Sequence, residues 1–162
     1  MKLESKHIAP YLPYGLKVIY EGHVKEVHGL MNEEIYIEYN GIGTDMSGKE
    51  LFEIKPLFLP LSALTEQLPD GTIPIVELAK MALTYPIEID VYKFEKQYVD
   101  GEFIVAESEN SMRLIFDGKS FWMQNGYGNI AIANNQLQLF EYLFSNHFDV
   151  FSLISCQLAD AK

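Results

Sequence analysis

Metal or acid–base chemistry in this chain would have to be built from four histidines, one cysteine and 23 acidic residues, and their spacing builds none. His23 and His28 stand in strand-like sequence at an odd separation, so without a bulge they face opposite sides. His7 and His147 are single residues among mostly apolar neighbours, the usual setting of a structural histidine. His147 and Asp149 bracket Phe148 and would couple a base to a carboxylate only if they met. A helix-ending histidine and a capping aspartate account for both without chemistry. Cys156 lies between Ser155 and Gln157 with no basic neighbour to favour a thiolate, so it is expected to be buried and inert. The acidic pairs Glu33 with Glu34, Asp100 with Glu102, and Glu107 with Glu109 fall in turns or at strand ends, where solvent keeps carboxylates charged.

The nucleophile and phosphate motifs are missing as well. There is no Gly-x-Ser-x-Gly elbow and no His-Glu-x-x-His pair. The glycine-rich loops Asn40 to Gly48 and Asn125 to Asn129 lack the lysine and the strand-to-helix context of a phosphate cradle. The expectation is therefore no catalytic residue, no metal site and no cofactor. An uncharacterised hydrolase remains an alternative that would need a concave site with convergent polar groups.

Charge narrows the partners. The net charge is −11, from 12 basic and 23 acidic residues, and Arg113 is the sole arginine. Direct nucleic-acid binding, which needs clustered Lys and Arg, is disfavoured. The acidity either solvates the surface or imitates nucleic acid toward a DNA-binding protein. The single cysteine excludes an internal disulfide. No apolar run approaches the roughly 18 residues of a membrane span, and Met1 to His7 leads into no signal-type segment. No membrane association and a cytoplasmic location in a bacterial host cell are expected.

The elements that would position any site are mostly strands. Ile8 to Lys17, rich in Pro and Tyr, is expected to be an extended strap. Leu16 to Tyr20 and His23 to Leu30 form strands joined at Glu21-Gly22, Glu34 to Tyr39 alternates cleanly, and Leu51 to Leu59 returns as a further strand. Within Ile54 to Thr65, Pro56 and Pro60 suit an edge strand or linker, and Ser62 caps a short turn over Ala63 to Leu68. After the turn Pro69-Asp70-Gly71, Pro74 opens a helix with Ile75, Leu78, Ala79 and Ala82 on one side. It should stop by Tyr85, before Pro86.

Residues 87–124 form an antiparallel meander, with Ile87, Ile89 and Val91 alternating and a turn at Asp100-Gly101. The hairpin Ser111 to Gln124 closes on a two-residue turn, Asp117-Gly118. That register sets Leu114 opposite Phe121 and Met112 opposite Met123, and stacks Arg113 on Trp122 as a cation–π pair on the other face. Asn134 or Asn135 caps a helix whose stripe is Leu137, Phe140, Leu143, Phe144 and His147. Asp149 caps a second helix that buries Val150, Phe151, Leu153 and Ile154. The fold class is α+β: an SH3-like N-terminal strand cluster, a short helix, then an antiparallel meander packed by two C-terminal helices. The corresponding division is 1–68 and 69–162, sharing one core.

Ala9 to Lys17, Ile54 to Leu57 continuing through Pro60 to Thr65, and His147-Phe148-Asp149-Val150-Phe151 together resemble an uncharacterised family of small phage- and prophage-encoded proteins of gut bacteria. The resemblance spans nearly the whole chain and implies that the three stretches form one structural unit. It supplies a setting inside the bacterial cell and no catalytic or binding residue. The expected function is a phage-derived accessory protein that binds another protein. Exposed aromatics anchor such interfaces, so Tyr11, Tyr14, Trp122 and Tyr127 are the candidate contact residues. The alternative binding role is an acidic nucleic-acid mimic.

Overall fold

The computed structural model of the chain describes residues 1–38, 46–83, 91–98, 102–108 and 111–162. It is an α+β protein, mostly strands, that divides into two units: Met1–Pro60 with Leu143–Lys162, and Leu61–Tyr142. The lines drawn from the sequence at 1–68 and 69–162 differ from this, because the C-terminal segment belongs with the N-terminal strands. The expected end at Tyr85 of the helix opened by Pro74, the alternation at Ile87 and Ile89, the turn at Asp100-Gly101 and Glu109 lie outside the described residues.

In the first unit, helix α1 (Ser5–Ile8) runs directly into a 3-10 helix, Ala9–Tyr14. The expected extended strap is thus helical. Pro10 falls in its first turn, where no amide is needed, and Gly15 ends it in the left-handed region at φ 68°. Strands β1 (Lys17–Tyr20), β2 (His23–Met31), β3 (Glu34–Glu38) and β4 (Met46–Glu50) then form an antiparallel meander. Its first two turns carry positive φ at both central residues, Glu21 with Gly22 and Asn32 with Glu33, as two-residue hairpins between right-twisted strands require.

A 3-10 turn at Leu51–Glu53 leads to β5 (Lys55–Phe58), so the single strand expected over Leu51 to Leu59 is shorter, and β4 begins inside the expected glycine-rich loop. β5 returns to pair with β1, Pro56 facing Val18. The chain's last strand, β11 (Asp160–Ala161), adds to β5 in parallel. β5 therefore has a neighbour on each side and is not the edge strand that Pro56 suggested. The sheet order is β11-β5-β1-β2-β3-β4. Its outermost strands do not pair with each other, and no sheet closes into a barrel among the described residues. The core of this unit is Ile8, Tyr11, Leu16, Val18, Ile35, Ile37, Phe58 and Leu153 with their neighbours.

In the second unit a 3-10 turn (Leu61–Thr65) precedes helix α2 (Pro74–Leu83). Pro74 takes the first position as expected, and Ile75, Leu78, Ala79 and Leu83 are buried. α2 packs on β6 (Val91–Tyr98), β7 (Glu102–Ser108) and β8 (Arg113–Phe116). With β9 (Phe121–Gln124) and β10 (Ile130–Ile132) these make a five-stranded antiparallel sheet in sequence order.

The β8–β9 hairpin is closed by four residues rather than two: Phe116 pairs with Phe121, Leu114 with Met123 and Ile115 with Trp122. Asp117 is the reason. Its Oδ1 accepts the amides of Lys119 and Ser120 at 2.8 and 2.7 Å, folding a wider turn. The register thus differs from the expected one by two residues, which preserves the faces: Leu114, Phe116 and Phe121 are buried together, and Arg113 and Trp122 share the opposite face.

Helix α3 (Gln136–Ser145) starts where the asparagines indicated, but its buried side is centred on Leu139 and Leu143, and Leu137 is 71% exposed. Gln136 fixes this rotation by accepting the Phe121 amide at 3.0 Å and donating back to the Phe121 carbonyl. The division between the two units falls within this helix, after Tyr142.

The second C-terminal helix is absent. Residues 149–159 are a run of turns, broken by left-handed backbone at Ser152 (φ 56°) and Gln157 (φ 60°). A residue held at positive φ interrupts the helical hydrogen-bond ladder.

Candidate functional site

Two places concentrate chemistry-bearing side chains, one in each unit. The first is an aromatic junction made by three separate stretches. The Tyr11 hydroxyl donates to the Phe148 carbonyl at 2.7 Å and accepts the Val150 amide at 3.2 Å. Its ring lies 4.5 Å from that of Phe58 and 5.1 Å from that of Phe144. Leu59 and Phe148 form a parallel bridge, the Leu59 amide donating to His147 and the Asp149 amide to Leu59. Residues 9–17, 54–60 and 147–151 are thereby joined, while 61–65 fall in the other unit.

α3 ends in the same place. The Phe148 amide donates to Leu143 and the His147 amide to Phe144, the paired bonds of a Schellman cap, with His147 at φ 59° where glycine is usual. The Nε2 of His147 is buried without a hydrogen-bond partner among the described residues. Burial and the positive charges of Lys162 and Lys17 hold this imidazole below its ordinary value, against the opposing pull of the Tyr14 carbonyl.

No dyad forms. Asp149 uses one oxygen for the Leu153 amide and the other for the Ile154 amide, each at 2.8 Å. Burial pushes the Tyr11 hydroxyl well above the ordinary tyrosine value; the Val150 amide opposes the shift and the Asp149 charge adds to it. Tyr11 is therefore a fully buried structural residue, not an exposed contact. Its flanking prolines suggested a surface strap, whereas the 3-10 turn directs the ring inward.

The other single residues also resolve. His7 Nδ1 accepts the Glu4 amide at 3.1 Å in a cap of α1. His28 stands at the irregularity of β2 between Val27 and Gly29, and both it and His23 are exposed. No group of three potential metal ligands occurs among the described residues. Cys156 is exposed, a correction to its expected burial, because it sits in the C-terminal run of turns rather than on a helix. An open apolar cavity of about 240 Å³ in the first unit, lined by Leu3, Leu51, Phe52, Ile54 and Leu158 among others, brings together no polar set for catalysis.

The second place is the outer face of the five-stranded sheet, at its β10 edge. Cross-strand pairing puts Ile115, Trp122 and Ile132 in one row and Glu107, Arg113, Gln124 and Ile130 in the next. Arg113 bonds the Glu107 carboxylate at 3.1 Å, and the Trp122 indole donates to Asp117 at 2.9 Å. The expected Arg113–Trp122 pair is replaced by these two, because the wider turn sets Arg113 opposite Gln124. Partial burial pushes the Asp117 carboxyl up, but the bonds from Trp122, Lys119 and Ser120 outweigh it and hold the group below the usual carboxylate range.

Beyond β9, Asn125 ties the next loop into a closed ring. Its Oδ1 accepts the amides of Tyr127 and Asn129, each at 3.0 Å, and its carbonyl accepts that of Gly128 at 2.9 Å. Tyr127 stands at the top of this loop, 94% exposed. Beside it an open polar cavity of about 290 Å³ is lined by Glu107, Ser111, Arg113, Gln124 and Asn125 with two glycines. Ile130 and Ile132 of β10 are 58% and 51% exposed.

Of the four aromatics singled out from sequence, Trp122 and Tyr127 belong to this unit, Trp122 half-buried and Tyr127 projecting. Tyr14, 38% exposed, and Tyr11 belong to the other. Ile130, Ile132 and Leu137 were missed. Their signal is compositional: residues 120–140 contain no charged residue and no histidine, in a chain of net charge −11. The chain matches no protein-family model, no curated protein and no solved structure. No helix among the described residues is long and apolar enough to cross a membrane.

Proposed function

We propose that this protein is a non-catalytic protein-binding module whose contact surface is the outer sheet face and loop formed by Trp122, Tyr127, Ile130 and Ile132. The observation that carries this reading is the exposure of Tyr127, Ile130 and Ile132 on a segment, residues 120–140, that has no charged residue in an otherwise acidic chain. Rigid aromatics beside exposed aliphatics are the side chains that anchor interfaces, and exposed apolar patches of this kind mark interaction sites.

The setting suggested by the resemblance is a phage- or prophage-encoded accessory protein acting inside its bacterial host. The first unit would serve as a scaffold, an SH3-like strand cluster in open form. The meander β1 to β4, followed by a 3-10 turn and the return of β5 to β1, is the connectivity such a cluster needs.

The test is capture of partners from host lysate by the tagged protein, washed at low and then high salt. Wild type is compared with Tyr127→Ala and Ile130→Ser. An interface made mainly of apolar contacts keeps its partner through the high-salt wash and loses it in both variants. An unchanged partner set in the variants overturns the reading. Release of DNA-binding proteins by salt alone would favour the acidic mimic in its place.

A further inference from the structure

We propose that β10 pairs with β10 of a second copy, so that the chain forms a two-fold dimer with one continuous sheet across it. This goes beyond the binding reading above and does not depend on it.

β10 is the terminal strand of its sheet, with no strand on its other side among the described residues. The bonds from Asn125 N to Asn129 O and from Ala133 N to Phe121 O fix which of its groups face β9. Antiparallel strands alternate between bonded and non-bonded pairs. The residues facing β9 are therefore Asn129, Ala131 and Ala133, and the amides and carbonyls of Ile130 and Ile132 point outward along the free edge. An occupant that satisfies them is a strand.

Three observations make that strand a second copy. The sequence Ile130-Ala131-Ile132 is symmetric about Ala131, so a two-fold axis through that position sets Ile130 of each copy against Ile132 of the other. Both residues are outward-facing, so each such pair can exchange both of its backbone hydrogen bonds. The charge distribution agrees: two chains of net charge −11 repel, and residues 120–140 are the longest stretch in which neither brings a charge. Finally, the edge carries none of the usual protection against self-pairing, such as a lysine, a proline or an inward charge, apart from its shortness. The axis stands perpendicular to the sheet, so the Trp122 rows of both copies lie on the same side and the binding face is doubled.

The experiment is analytical ultracentrifugation of the purified full chain over a dilution series. The expected result is a reversible monomer–dimer equilibrium that strengthens slightly or stays constant as salt rises, because backbone bonds and aliphatic pairs hold it while net charge opposes it. Ile132→Lys, which alters both symmetric pairs, weakens dimerisation by about tenfold or more. Adding Ile130→Asp to that same chain places a carboxylate opposite each new ammonium and recovers part of the loss. Circular dichroism unchanged in both variants separates loss of pairing from loss of fold. A wild-type chain that stays monomeric at every concentration overturns the proposal. So does a dimer unmoved by Ile132→Lys, or a double variant no stronger than the single one.

Discussion

The aromatic junction around Tyr11 and the sheet edge around Ile130 use similar residue types for opposite ends. At the junction, aromatic rings and an aspartate are turned inward and their polar atoms are occupied by backbone: Phe148 and Val150 by Tyr11, Leu153 and Ile154 by Asp149. At the edge, comparable apolar side chains face water and strand backbone is left open. The difference teaches that distinctive motif residues can be cement. Residues 9–17, 54–60 and 147–151 tie the C-terminal segment to the N-terminal sheet, while the proposed contact surface lies in the uncharged segment 120–140.

Substitutions can break this contrast, and the largest effect is expected at its buried end. Tyr11→Ala should destabilise the fold by about 3–5 kcal/mol, as the loss of a large core aromatic does. Tyr11→Phe, which leaves the Phe148 carbonyl and Val150 amide without their partner, should cost about 1–3 kcal/mol. Denaturant midpoints measure both, and a Tyr11→Phe chain as stable as wild type would show the hydroxyl to be dispensable. Asp149→Ala orphans two backbone amides and should also cost about 1–3 kcal/mol.

A smaller effect separates the units by pH. His147 has a lowered folded-state value, so the unfolded chain binds the proton more readily. Its contribution is present above the ordinary histidine value and is lost as pH falls from there through the folded value. His147→Asn tolerates the left-handed backbone and removes the titration, so stability of the variant should fall less between neutral and mildly acidic pH. Parallel pH curves for variant and wild type would show that another group governs that window. Asp117, whose folded value is also lowered, contributes above the ordinary carboxylate range and loses that contribution only in stronger acid. Asp117→Ala should loosen the β8–β9 turn by about 1 kcal/mol at neutral pH.

The smallest stability effect belongs to the proposed contact surface. Tyr127→Ala should change unfolding by less than about 0.5 kcal/mol, as exposed substitutions do, yet remove the captured partner. A large stability loss there would erase the contrast between cement and contact.

Much of the fold was legible because local pattern and local turn chemistry decide it. Glu21-Gly22 announced the first hairpin, Pro74 the start of α2, and the alternation around Leu114 and Phe121 the buried face of the meander. The register of that hairpin was not legible, since the side chain of Asp117 favours a four-residue turn over the two-residue one that Asp-Gly suggests. The stripe of α3 is not legible in sequence, because Leu137 and Leu139 compete for one face and Gln136 bonding to Phe121 accompanies the rotation that buries Leu139. Tyr127 was legible as an exposed aromatic, whereas Tyr11, which follows a proline as Tyr14 does, gave no sign of its burial.

What the sequence determined by itself is the α+β class, the alternating faces of its strands and the want of a catalytic motif, since these follow from periodicity and residue type along short stretches. Tertiary structure alone decided that residues 143–162 return to the N-terminal sheet, that Tyr11 and Asp149 are spent on backbone groups, and that Ile130 and Ile132 stand at an open edge. Those outcomes depend on which distant segments satisfy one another's hydrogen bonds and apolar surface, and no local pattern records the partner.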